Sequence, residues 1–322
     1  MDRLVVFADR RVGFASALAR AALEAARLSS DVEAGALVDA AGSGALPAAI
    51  DTARRIGGAA LRRASGPRSR AHAPERLSRL ARRCGVPLIV PPERDVNHHD
   101  LPPLLADRLG ATLALSVGCL PIFRRPLLSA FAAAVNYHDG ALPAYRGLAA
   151  TGWSVYRGDA ESGFTFHHLV EALDAGPGLV RGAVPVPPDA TAAQVSRMRT
   201  AAAAVVMSEL LARMTARDRG TPQPPGGEYF SQRRRRAIVT IDDPSALDWP
   251  ELQRRLRAFG RLVLTLDGRR WDVTALERSD DGGKRRPLRF TTRDGVLAAP
   301  IRFLGLPRWL YLAARPFAAP GR

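Results

Sequence analysis

Two rhythms of apolar and polar positions divide this chain. In the first half, short apolar runs at Leu4–Phe7, Ala34–Val38, Pro87–Val90, Thr112–Ser116 and Ala134–Tyr137 read as buried strands. Between them, apolar residues at helical spacing predict helices over Ala15–Arg27, Pro47–Arg63, Pro74–Arg83 and Leu101–Leu109. Strands alternating with helices of this length predict an α/β fold built on a parallel sheet covered on both faces. Ligands in such sheets bind beyond the carboxyl ends of the strands, so polar residues directly after a strand carry the most weight.

Further strands are expected at Gly163–Leu169 and Leu179–Val186, and a long helix over Thr191–Arg217 closes the unit. Gly220–Gly227, rich in Pro and Gly, reads as a linker. The expected organisation is a catalytic domain over 1–218, a linker over 219–232 and a smaller β-rich domain over 233–322. In that last part a basic run, Arg233–Arg236, precedes a short helix at Trp249–Phe259. Strand-like pieces follow at Arg261–Leu266, Trp271–Leu276, Leu288–Thr292 and Gly295–Ala298, with turns at Asp267-Gly268 and Asp281-Gly282-Gly283. The tail, Leu306–Phe317, is expected as a short packed helix.

Composition narrows the function classes. Of the 322 residues, 47% are hydrophobic and 24% charged, the balance of a globular protein. The longest apolar stretches, such as Leu127–Val135, fall far short of the roughly 20 residues a membrane span needs. Cys84 and Cys119 are too few for a disulfide framework or a thiolate metal site, and the N-terminus lacks a secretory layout, so a cytoplasmic setting is expected. The net charge of +16 points either to a polyanionic ligand or to the arginine-rich composition of a GC-rich genome; Lys284 is the only lysine. After the first strand, Ala8–Phe14 holds one glycine where a dinucleotide fingerprint needs three, which argues against NAD chemistry.

The richest segment runs from Ala134 to Gly147. Residues two apart on a strand share a side, so Asn136 and His138 face one place at a strand end. An amide donor beside an imidazole is an oxyanion-stabilising pair, although both residues also serve as ordinary hydrogen-bonding groups in a loop. A second element, Leu173-Asp174-Ala175-Gly176-Pro177-Gly178, carries one carboxylate in a glycine-rich turn. If the two segments are neighbours, Asp174 reaches His138 and fixes its tautomer or charge.

These residues together resemble the folate-dependent formyltransferase family. The resemblance rests on Asn136-Tyr137-His138, on Leu142-Pro143-Ala144-Tyr145-Arg146-Gly147, and on Asp174-Ala175-Gly176 placed 36 residues after the histidine. Gly152-Trp153, Gly158–Gly163 and His167 also fall where members carry similar residues. The resemblance implies a Rossmann-like fold and 10-formyltetrahydrofolate as formyl donor, with no metal. It implies Asn136, His138 and Asp174 as catalytic residues acting through a tetrahedral intermediate, with Asp174 in proton relay. It also implies a cofactor wall of Gly118, Cys119, Leu120, Ile122 and Leu173, with Cys119 lining the pocket rather than attacking. Asp139, Tyr145 and Arg146 are the candidates for the acceptor side. Asp139-Gly140 stands where tRNA and sugar members carry Pro-Ser or Gly-Ser, which resembles members of specialised-metabolite pathways. The expected acceptor is therefore a small-molecule or carrier-bound amine. Methionyl-tRNA, hydrolysis of the formylfolate and non-catalytic folate binding are the alternatives. Hydrolysis is expected less than transfer, because hydrolases of the family resemble chains with an added N-terminal regulatory domain and the expected first strand here starts at Leu4. Oligomeric state is not legible.

Overall fold

The computed structural model describes residues 1–41, 75–278 and 289–303. The helix expected over 47–63, the Asp281 turn and the tail helix lie outside the described residues.

The first sheet has seven strands: β1 (Asp2–Ala8), β2 (Val32–Asp39), β3 (Leu88–Ile89), β4 (Leu113–Val117), β5 (Ala133–His138), β7 (Glu161–His168) and β8 (Gly178–Pro185), in the order β3-β2-β1-β4-β5-β7-β8. Strands β3 to β5 run parallel, as alternation with helices requires. The last two differ: β7 lies antiparallel to β5, and β8 antiparallel to β7. The short turn at 169–177 forces the second pairing, because a parallel return from β7 to β8 would need a crossover of a dozen or more residues. One face of the sheet packs on α1 (Ala15–Leu28), whose Ala and Leu residues bury against Leu4, Val6, Leu37 and Tyr137. The other face buries Val5, Phe7, Ala114, Phe123, Leu127 and Phe131. After β3, α2 (Leu77–Arg83) having preceded it, the segment expected as one helix over 101–109 forms a short turn (Leu101–Pro103) continued by a π-turn (Leu104–Arg108).

The helix expected over 191–217 is two: α4 (Ala192–Val205) and α5 (Met207–Thr215), following α3 (Ala150–Arg157). The Thr191 side chain and Gln194 make a reciprocal cap at the start of α4. The break falls at Val206, where ψ is 10°. Neither Gly nor Pro marks it, so local sequence gave no warning.

Beyond residue 227, β9 (Glu228–Phe230) pairs in parallel with β6 (Tyr145–Gly147). The basic run lies in α6 (Gln232–Val239). A five-stranded sheet follows, ordered β10 (Thr240–Ile241), β11 (Leu262–Leu266), β12 (Arg269–Arg278), β14 (Leu297–Phe303) and β13 (Phe290–Thr291). Strands β11 and β12 form a hairpin whose turn residues Asp267 and Gly268 have φ of 50° and 69°, the doubly left-handed turn that Asp-Gly favours. This sheet and α7 (Trp249–Phe259) share a core with Trp153, Val155, Val184 and Val195 of the first unit. Trp153 packs between the rings of Phe230 and Phe259, at 4.8 and 5.1 Å. The turn after β5 is thereby backed by both units.

Candidate active site

Alternation along β5 sends Val135 and Tyr137 to the α1 face and Asn136 and His138 to the opposite side. Because β7 runs antiparallel to β5, its end lies beside Ala134, and the 169–177 turn must double back across this side. That return brings Asp174 to the strand end. Its Oδ1 lies 3.5 Å from His138 Nδ1 and 3.8 Å from His167 Nε2, while Oδ2 accepts from the Gly147 N–H at 2.7 Å. The structure therefore brings Asn136, His138 and Asp174 together.

The hydrogen bonds around them assign protons. His167 Nδ1 faces the His168 carbonyl at 2.9 Å, so that nitrogen carries the hydrogen and Nε2 is left as an acceptor. Asn136 Nδ2 donates to His167 Nε2 at 3.2 Å, which fixes the amide's orientation and leaves its second N–H uncommitted to His167. Burial, reinforced by the nearby His138, holds His167 well below the ordinary histidine range, consistent with this neutral acceptor role. His138 has acceptors on both sides: Nε2 lies 2.5 Å from the Tyr145 carbonyl, and Nδ1 faces Asp174. A ring flanked in this way can donate from both nitrogens when it holds a second proton, with Asp174 as counter-charge.

The turn after His138 is clamped. Thr165 Oγ1 donates to the Gly140 carbonyl and accepts from the Leu142 N–H, at 3.0 and 3.1 Å. Gly140 has no room for a side chain, since a Cβ there would lie 2.6 Å from Ala150 Cβ and 2.9 Å from His138 Nε2. Asp139 accepts from Thr151 Oγ1 at 3.0 Å and pairs with the fully buried Arg199 at 3.3 Å. Arg199 also donates to Ser162 Oγ and the Gly163 carbonyl. Asp139 is thus committed to the fold. Of the other acceptor-side candidates, Tyr145 stacks on Phe230 at 5.4 Å and donates its hydroxyl to Asp159, so its contribution to His138 is its carbonyl. Arg146 lies half-buried in β6.

The expected cofactor wall lies on the loops after β4 and β7, which flank β5. Leu120, Ile122 and Leu173 are 58, 52 and 51% exposed, unusual for large apolar side chains at a sheet edge and suited to covering a flat heteroaromatic ring. Gly118 turns the chain with φ of 68°. Burial pushes the Cys119 thiol up to about 12, which rules it out as a ready nucleophile. Sequence reasoning missed the residue that shapes this loop: Asn97 donates to the Ile122 carbonyl at 2.9 Å and accepts from the Arg124 N–H at 2.8 Å. His98, His99 and Asp100 place possible metal-ligand atoms within 4.8 Å of one another, apart from Asn136, His138 and Asp174 in sequence and mostly exposed. A groove of about 1010 Å³ between α1 and α4 contains none of Asn136, His138 or Asp174.

With this geometry in hand, relatedness can be read. Residues 99–211 match the family model described as formyl transferase. That stretch is similar to a formyl transferase domain. Within it lie β5, the clamped turn and Asp174. Two curated relatives are a methionyl-tRNA formyltransferase from Myxococcus xanthus, 34% identical over 39% of this chain and 40% of its own length, and a GDP-perosamine N-formyltransferase from Brucella melitensis, 29% identical over 44% and 56%. The chain thus spans about half the length of the curated relatives it matches. A solved sugar N-formyltransferase from a Shewanella species superposes with a TM-score of 0.57 at 15% identity, covering 85% of this chain and 97% of its own. HypX from Aquifex aeolicus, solved with tetrahydrofolic acid, gives 0.57 at 16% identity, covering 92% of this chain and 43% of its own. At such identities these two structures establish the shared fold. The matched stretch accordingly lies in an α/β sheet, with a separate β-rich sheet after it.

Proposed function

We propose that this protein transfers a formyl group from 10-formyltetrahydrofolate to the amine of a small-molecule or carrier-bound acceptor. The observation that carries the reading is the convergence of Asn136, His138 and Asp174 on one strand end within the stretch similar to a formyl transferase domain. Transfer of a formyl group to a neutral amine builds negative charge on the formyl oxygen and positive charge on the nitrogen. The Asn136 N–H not held by His167 donates to that oxygen, and His138 in its doubly protonated form adds positive charge beside it. Asp174 balances the imidazolium through Nδ1 and relays the proton that the acceptor nitrogen loses, through water, to the folate nitrogen, whose bond to the formyl carbon breaks as the formylated amine and tetrahydrofolate part. The exposed Leu120, Ile122 and Leu173, with Gly118 and Cys119, form the apolar rest for the donor's ring. Of the acceptor-side candidates, the Asp139 and Tyr145 side chains are held by the fold, which leaves Arg146 for the acceptor. No step requires a metal.

An acceptor related to an amino sugar is favoured by the Brucella relative and the Shewanella structure, and a tRNA acceptor by the Myxococcus relative. The test is incubation of the purified chain with carbon-13 formyl donor and a panel of amino sugars, nucleotide-linked amino sugars, hydroxylated ornithine and carrier-bound amines, read by mass spectrometry. Formylation of one class supports the reading. Steep salt-dependent binding of initiator tRNA, with formylation of its methionine and of nothing in the panel, replaces it with the tRNA reading.

A further inference from the structure

The catalytic aspartate occupies an unfavourable backbone position. Asp174 has φ of 51°, in the left-handed region that residues other than Gly enter rarely and at a cost. Such a conformation persists only where the surroundings over-determine it. Its own turn is closed at the base by the His168 N–H donating to the Pro177 carbonyl at 2.9 Å, while the bond nearest Asp174, from the Ala175 N–H to the Ala172 carbonyl, spans 3.4 Å.

The support comes from the stretch that reads as a linker. Gln223 Nε2 donates to the Asp174 carbonyl at 2.8 Å and to the Gly176 carbonyl at 2.7 Å, using both amide hydrogens on the turn. Gln223 is half-buried and is itself held from both ends. On one side Thr221 exchanges two backbone hydrogen bonds with Gly178, at 2.8 and 2.9 Å. On the other, β9 pairs with β6, and the Leu148 N–H donates to the Phe230 carbonyl at 2.8 Å. Gly227 permits this approach, because a Cβ there would lie 1.8 Å from the Pro143 carbonyl oxygen. The same strand β6 presents the Gly147 N–H to Asp174 Oδ2 and the Tyr145 carbonyl to His138 Nε2. Residues 221–230 therefore touch the backbone on which Asp174 sits and the strand that fixes both His138 and Asp174. All of them lie beyond residue 211, where the formyl transferase match ends.

We infer that Gln223 is a positioning residue for the formyl transfer proposed above, locking Asp174 against His138 through the two carbonyl oxygens of its turn. The inference rests on that reading for its kinetic consequence and on geometry alone for its structural one. Gln223→Met keeps the side chain's length and removes both donors. Misplacement of a catalytic group by about an ångström can cost on the order of 100-fold in rate, so kcat of Q223M should fall by about 10- to 100-fold while its melting temperature stays within a few degrees of the unsubstituted protein. A double-mutant cycle separates positioning from general weakening. If Gln223 acts through the Asp174 carboxylate, adding Q223M to Asp174→Asn costs less than about twofold, whereas an independent effect repeats in full. Nitrogen-15 NMR of the His138 ring gives a readout that does not depend on turnover: Q223M should move its ring signals in the same direction as D174N does. Unmoved His138 signals overturn the inference, as does a full loss repeated in the D174N background. If the unsubstituted protein transfers no formyl group to any amine, the reaction reading fails, and the NMR comparison still decides on Gln223.

Discussion

His138 and Asp139 are neighbours in sequence, and each faces an ionisable side chain, Asp174 and Arg199, yet the two pairs are built differently. Asp139 meets Arg199 at 3.3 Å with Thr151 as a second donor, and the arginine is fully buried with further bonds to Ser162 and Gly163. Its carboxylate is held by two donors at once. His138 meets Asp174 at 3.5 Å, too long for a strong hydrogen bond, with His167 as a near neighbour of the same carboxylate at 3.8 Å. One pair is a closed structural lock. The other is a longer contact whose carboxylate also lies near His167 and takes the Gly147 N–H. Alternation at a strand end places the lock directly behind His138, so the turn that bears it is fixed from the other side.

The comparison can be broken from either side, and the largest effect is expected on the chemical pair. Asp174→Asn retains an oxygen for the Gly147 N–H and removes the charge facing His138. Its kcat for formyl transfer should fall by at least about 100-fold with little change in the urea midpoint. A loss of stability without a kinetic loss would reverse the roles assigned to the two pairs. Arg199→Met should do the opposite in kind, leaving the Asp139 carboxylate without its buried partner and lowering unfolding free energy by about 3 kcal/mol in urea titration. A loss under about 1 kcal/mol would mean that the lock contributes little. The smallest effect concerns His167. Because burial lowers its proton affinity in the fold, the unfolded chain binds the proton first as pH drops through about 6.5, so this contribution to stability is complete above that pH and declines below it. The slope is at most about 1.4 kcal/mol per pH unit, and it should be missing from His167→Gln when urea midpoints at pH 7.5 and 5.5 are compared. An identical slope in both proteins would assign the acid sensitivity elsewhere.

The parts of this site that were legible are those whose meaning is local. Asn136 and His138 are two apart on one strand, Leu142-Pro143 and Gly140 mark the turn, and Asp174 stands in a glycine-rich loop at a recognisable interval. The five parallel strands were legible for the same reason, because apolar runs bounded by helical patterns are short-range signals. What escaped depends on distance. Arg199 sits in an alanine-rich helix and reads as a surface arginine until its partner, 60 residues away, is brought beneath it. Gln223 reaches a turn 49 residues earlier from a stretch whose prolines and glycines signal only a connection. Asn97 shapes the Ile122 loop across 25 residues. The expectation that Asp139 meets the acceptor arose from its position beside His138, and the alternation of a strand end is the reason that neighbour faces Arg199 instead.

The most direct test of the account is the fate of the formyl group. With an acceptor identified from the amine panel, the formylated amine and free formate should be counted together against 10-formyltetrahydrofolate consumed, for the unsubstituted protein and for His138→Ala. The account predicts one formylated amine for each donor consumed, no formate above background, and the loss of both products' formation in H138A while a folate analogue still binds. Donor consumption balanced by formate, or full transfer retained in H138A, would contradict it.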